Sequence, residues 1–236
     1  MFQRTILFQK LLEVQINSRP KMTTDKVVTG VLMLGEMLEQ PKVLADSIKL
    51  WDQDISAICS VLPEKIQGVV FIGRGSSDNA ATIGRYAVEA FTGIPASLAA
   101  PSLSTRYAPH TSYVDYVIVA MSQSGGTPEV IAAASALKGK GSKIIAITNS
   151  EDSSLARIAD LHIDLQAGVE KAVPATKTVT AQVLAVLKIA SALAKKKGLD
   201  SPISQDELMR LPEAVKEVLN DFKSAERIVS QSLSAN

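Results

Sequence analysis

A chain of 236 residues with 25 Lys and Arg against 24 Asp and Glu can bury a substantial core, but it has no global field to recruit nucleic acid or an anionic membrane. An anionic ligand must then be held by local geometry. The single cysteine, Cys59, excludes an internal disulfide, no Cys/His spacing suggests a metal site, and no uninterrupted apolar run approaches a membrane span, so a cytoplasmic protein is expected.

The opening, MFQRTILFQKLLEVQINSRPK, is basic and weakly amphipathic, but Lys10 and Glu13 interrupt it and no small-residue cleavage site follows. Residues 1–21 therefore read as a leader of uncertain origin ahead of Met22. Residues 22–66 read as a helical preface: Val43, Leu44, Ile48, Trp51, Ile55 and Ile58 recur near helical period, and Pro41 suits a first turn. The texture then changes. GVVFIG, YVIVAM and KIIAIT are short, continuous apolar runs rich in β-branched residues, and ASLAA and LHIDL are weaker versions. Helix-like stretches at 79–91, 128–137, 153–159 and 177–196 separate or follow them. Strands alternating with helices over residues 67–200 predict an α/β fold with a parallel sheet, whose ligands bind beyond the carboxyl ends of the strands. Residues 201–236 close the chain, with one further amphipathic helix expected over 206–236 through Leu208, Leu211, Val215, Val218, Leu219 and Phe222. The apolar faces of preface and tail exceed what one domain can cover and point to a homodimer or higher homo-oligomer.

Three loops at strand ends are suited to grip a ligand. GRGSSDN (73–79) allows a tight turn at Gly73 and Gly75, with Ser76, Ser77 and Asp78 available to cap the next helix; it is either an anion site or a plain strand-to-helix turn. SQSGGT (122–127) offers the hydroxyls of Ser122, Ser124 and Thr127 to a phosphate, with Gly125 and Gly126 letting the main chain fold around it and Pro128 starting a helix; the plain alternative is a Ser/Gly turn with an N-cap. AGVEKAVPATKT (167–178) brings Thr176, Lys177 and Thr178 to a helix start. Lys177 reaches a phosphate or is solvated; Glu170 is a base, a partner for a sugar hydroxyl or a surface charge. A dinucleotide site would need a third glycine near Asp78 and an acid after the second strand, and a nucleotide P-loop would need its Gly, Lys and Ser after a strand, whereas GKGSK precedes one. No cofactor is expected.

In this order the three loops resemble the sugar isomerase (SIS) domain family, in the branch of the isomerase half of glucosamine-6-phosphate synthase and related glucosamine-6-phosphate deaminases; MLGEMLEQP resembles that branch's opening. The resemblance spans residue 30 to the chain end. It implies a five-stranded parallel sheet of flavodoxin-like order that binds the phosphate of an open-chain hexose phosphate or amino-sugar phosphate. Position by position it implies phosphate contacts from Ser77, Ser122, Gln123, Ser124 and Thr127, and a sugar lining from Gly75, Ser76, Val173, Ala175 and Lys177. Ala175 stands where the family has a serine, and Gly126 where a glutamate is frequent.

The branch carries two SIS domains in tandem, with its catalytic glutamate, histidine and lysine in the second. Neither His110 nor His162 sits in a matching motif; His162, within a strand, reads as a structural histidine. Three functions follow as expectations: the amino-terminal half of an amino-sugar-phosphate isomerase or deaminase, a phosphosugar-binding module without catalysis, or a single-domain isomerase completed across subunits with Glu170 as candidate base.

Overall fold

Each apolar run becomes a strand of one parallel sheet: β1 (Gly68–Ile72), β2 (Ala96–Leu98), β3 (Tyr116–Met121), β4 (Lys143–Thr148) and β5 (Leu161–Asp164). The computed structural model describes residues 30–107 and 111–233, so the leader and His110 lie outside the described residues. The chain divides into two units, Met1–Val31 and Leu32–Asn236, and everything below concerns the second.

The strand order is β2-β1-β3-β4-β5, the flavodoxin-like order. β1 and β3 pair in register Val69↔Val117 and Phe71↔Val119, and β3 and β4 pair through Val119↔Ile145. Because alternate residues point to opposite faces, Val69, Phe71, Val117, Val119, Ile145 and Ile147 meet one helical layer, while Val70, Ile72, Ile118, Ala120, Ile144 and Ala146 meet the other. Both faces are covered, which is why these strands read as unbroken apolar runs.

Helices α1 (Val31–Leu38), α2 (Gln40–Lys49) and α3 (Trp51–Val61) precede β1; α4 (Ser76–Thr92) follows β1, α5 (Pro128–Lys138) follows β3, α6 (Ser154–Ile158) follows β4 and α7 (Lys177–Lys196) follows β5. The chain closes with α8 (Gln205–Leu219) and α9 (Phe222–Leu233). α2, α3, α4 and α7 pack on the first face, α5 and α6 on the second. The preface is thus three helices, with Pro41 in the first turn of α2 as its spacing predicts. Its apolar residues Val43, Leu44, Ile48, Trp51, Ile55 and Ile58 are buried within the core, which corrects the expectation that they await a partner subunit.

The tail also differs from the single helix expected over 206–236. α8 opens with a capping box between Ser204 and Glu207 and ends at Asn220; the Asp221 carboxylate then accepts from Ser224 N at 3.4 Å and from Ser224 Oγ at 2.7 Å and so starts a new helix. A polar side chain that competes for backbone donors breaks the run although the apolar periodicity continues across it.

α7 is long and apolar enough to span a membrane by length and composition alone, yet 78% of its most apolar stretch is buried inside the fold. It packs closely on α4: a Cβ on Gly84 would lie 2.6 Å from the Phe71 ring and 3.0 Å from Val186 Cβ. It also buries Lys188, whose ammonium donates to Ser47 O at 2.8 Å and Ser47 Oγ at 3.0 Å and pairs with Asp54. Burial pushes the Lys188 pKa below its ordinary value, against the pull of Asp54.

Candidate functional site

β1 and β3 are neighbours, but the helices that follow them leave on opposite faces, so a crevice opens beyond their carboxyl ends. A cleft of about 200 Å3 occupies it, and all three loops line it: Arg74, Ser76 and Ser77 from the first, Ser122, Gln123, Ser124 and Thr127 from the second, Ala175 and Thr178 from the third. Met121 and Val179 complete the wall.

The first loop turns sharply because Gly75 has φ 60 and because a Cβ on Gly73 would lie 2.9 Å from the Ser77 carbonyl. α4 therefore begins at Ser76, three residues before the apolar periodicity suggests. No side chain caps it; Gly75 sits at the cap position, so Ser76, Ser77 and Asp78 are helical residues instead of caps. Ser76 and Ser77 stand in the first turn, where backbone N–H groups have no intrahelical acceptor, and the Ser77 side chain is buried at the cleft wall.

The second loop is held by its neighbours. Gly125 has φ 61, and a Cβ there would fall 2.1 Å from Ser153 Oγ. Gln123 O accepts from Asn149 N at 2.9 Å, and Gly125 O from Leu155 N at 3.0 Å. Ser122 Oγ and Thr127 Oγ1 lie 2.8 Å apart, and Ser124 Oγ accepts from Gly126 N at 3.2 Å. Thr127 occupies the N-cap position of α5 without spending its hydroxyl on that helix. Two helix N-termini, those of α4 and α5, thus reach one hydroxyl-lined cleft, the arrangement that favours an anion.

The third loop is organised by carboxylates. Glu170 Oε1 accepts from Thr176 N at 2.7 Å and Thr176 Oγ1 at 3.2 Å, and the Thr178 hydroxyl donates to Oε2, so Glu170 ties down the first turn of α7. Glu36, buried on α1, accepts from Lys171 N at 2.6 Å and Ala172 N at 3.1 Å. Lys177 neither reaches the cleft nor meets solvent: it is buried and donates to Glu39 at 2.5 Å. Val173 is 93% exposed, and of the five residues expected to line the sugar only Ser76 and Ala175 border the cleft. A second, wider basin of about 590 Å3 shares Gln123 and Ser124 with it and is bordered by Asn149, Asp164, Gly168 and Glu170.

His162 lies on β5 with Nε2 2.8 Å from Thr148 Oγ1, and burial lowers its pKa. Among the described residues no cluster of three or more His, Cys, Asp or Glu could hold a metal ion. Thr178, expected at the start of α7, borders the cleft, whereas Arg74 within GRGSS is a cleft residue that a hydroxyl-and-glycine pattern does not reveal.

Residues 64–192 match the SIS domain family. The chain is 32% identical over 201 residues to the glutamine-fructose-6-phosphate aminotransferase (isomerizing) of Caldanaerobacter subterraneus subsp. tengcongensis, covering 84% of this chain and 32% of that protein. It is 33% identical over 188 residues to the enzyme of the same name from Pyrococcus horikoshii, covering 78% and 30%. This chain therefore spans about a third of the length of these curated relatives. Its fold is that of the C-terminal domain of glucosamine-fructose-6-phosphate aminotransferase from Francisella tularensis, at TM-score 0.67 and 23% identity over 89% of this chain and 59% of that one. With more than half of its residues matched, the chain belongs to the SIS domain family.

Proposed function

We propose that the cleft binds the phosphate of a hexose phosphate or amino-sugar phosphate of the fructose 6-phosphate and glucosamine 6-phosphate type. The observation that carries this is the meeting of three hydroxyl-bearing loops with two helix N-termini at the switch point of the sheet. Ser77, Ser122, Gln123, Ser124 and Thr127 would hold the phosphate, and Ser76 and Ala175 would face the first atoms of the sugar. In this reading the chain is the amino-terminal half of a cytoplasmic tandem-SIS isomerase or deaminase: residues 22–66 are the preface, 67–200 the SIS domain and 201–236 the lead toward the second.

Moving a proton between C1 and C2 of an open-chain sugar needs a base. Glu170 borders the second basin, but its carboxylate already receives N–H and O–H donors from the start of α7. That load suits positioning better than proton transfer, and it supports a catalytic base supplied from outside this chain. It equally favours a second reading, a module that binds phosphosugars without turning them over. Turnover of glucosamine 6-phosphate by the full-length gene product separates the two: its presence supports the half-enzyme and its absence, with binding retained, the module.

The binding step has its own test. Replacing Ser124→Ala and Thr127→Ala together should weaken fructose 6-phosphate binding about tenfold or more by calorimetry, because hydrogen bonds to a charged group are lost, while the melting temperature changes little. Unaltered affinity would remove the assignment.

A further inference from the structure

The wall of the cleft carries a cation that the foregoing reading leaves idle. Arg74 stands between the two glycines of GRGSS and lines the cleft beside Ser76 and Ser77. Its Nε lies 3.3 Å from Glu129 Oε2, an ion pair without a hydrogen bond, and the two side chains are 59% and 64% exposed. A pair that open to water contributes little to stability, so it does not explain why the two charges face each other.

Their positions do. Glu129 is the acid in the first turn of α5, the helix whose N-terminus meets the cleft. A carboxylate there is drawn to the same positive end as a phosphate would be. Arg74 bridges the two loops, reaching from the turn after β1 to the helix after β3. The guanidinium fork can give two parallel hydrogen bonds to phosphate oxygens, whereas its approach to Glu129 is through Nε alone. Phosphate is the better partner.

We propose that Arg74 is the cationic arm of the phosphate site and that Glu129 competes with the phosphate for it, so that this pair of charges sets the affinity for phosphosugars. The inference rests on the phosphate reading of the cleft and adds to it the residue that supplies charge. Because the exchange is between two partners of one guanidinium, Glu129 acts only through Arg74.

Calorimetric titration of the whole chain with fructose 6-phosphate tests it in four variants. Arg74→Ala should weaken binding about tenfold or more, and Arg74→Lys should recover only part of that, since an ammonium lacks the fork. Glu129→Gln should tighten binding about threefold in the parent chain and leave it unchanged in the Arg74→Ala background. Both residues are exposed, so melting temperatures should stay close to that of the parent. Parent-like affinity in Arg74→Ala overturns the proposal, as does an equal effect of Glu129→Gln in both backgrounds, which would mark through-space repulsion. If the parent chain binds no hexose phosphate, the phosphate reading itself falls. If binding is lost in the Ser124→Ala, Thr127→Ala pair but indifferent to Arg74, that reading stands and this one alone fails.

Discussion

Gly125 is the residue on which the SQSGGT loop turns. A positive φ and the close approach of Ser153 leave room for hydrogen alone, so the loop is pinned to the turn between β4 and α6. Its hydroxyls are placed by the fold and need little reordering to meet a ligand. His162 shows how a side chain with apparent chemical promise can be structural. Its lowered pKa comes first from burial, with Asp164 and Glu151 pulling the other way more weakly. The folded state therefore prefers the neutral ring, and the unfolded chain takes up the proton first as pH falls through 6.5, so stability should decline below that point. Urea unfolding at about pH 7.5 and about pH 5.5 should show a smaller loss for His162→Gln than for the parent; equal losses would mean that His162 does not carry the dependence.

At the scale of elements, the preface does more than fill a groove. Glu36, Glu39 and Gln40 each hold the third loop or the start of α7, through Lys171 and Ala172, Lys177, and Thr180. Glu36→Gln should cost about 1–3 kcal/mol in unfolding free energy, since a buried acceptor becomes partly a donor facing N–H groups, and amide exchange should quicken at Lys171 and Ala172. An unchanged exchange rate would show that the loop holds itself. None of this was legible locally, because the partners are 135 residues apart and a glutamate on a short helix reads as surface. The central strands were legible for the opposite reason: Val117 to Met121 and Ile144 to Ile147 are buried on both faces and leave no polar residue to blur the pattern. The break at Asn220 and the early start of α4 depend on single residues at helix ends, Asp221 and Gly75, which apolar periodicity does not register.

Across the whole molecule, the site joins segments that are far apart in the chain, and the tail adds exposed apolar side chains of its own. Leu208 is buried and Leu211 and Val215 pack against the core, but Met209, Val218, Ile228 and Val229 are exposed on α8 and α9. Val43 to Ile58 of the preface are covered, but Leu32 and Leu38 on α1 stay exposed, so the case for self-association rests on the tail together with α1. Light scattering coupled to size exclusion should give a mass of at least two chains, and Val218→Glu with Ile228→Glu should reduce it; a monomeric parent chain would refute this. The clasp of Glu36 on the third loop also sets an order of events during synthesis. As the chain emerges from the ribosome, the contacts of SQSGGT with Thr148 to Leu155 are close in sequence and become available together. The third wall waits for a closure spanning 135 residues, so the SQSGGT loop can take shape while that wall is still being translated.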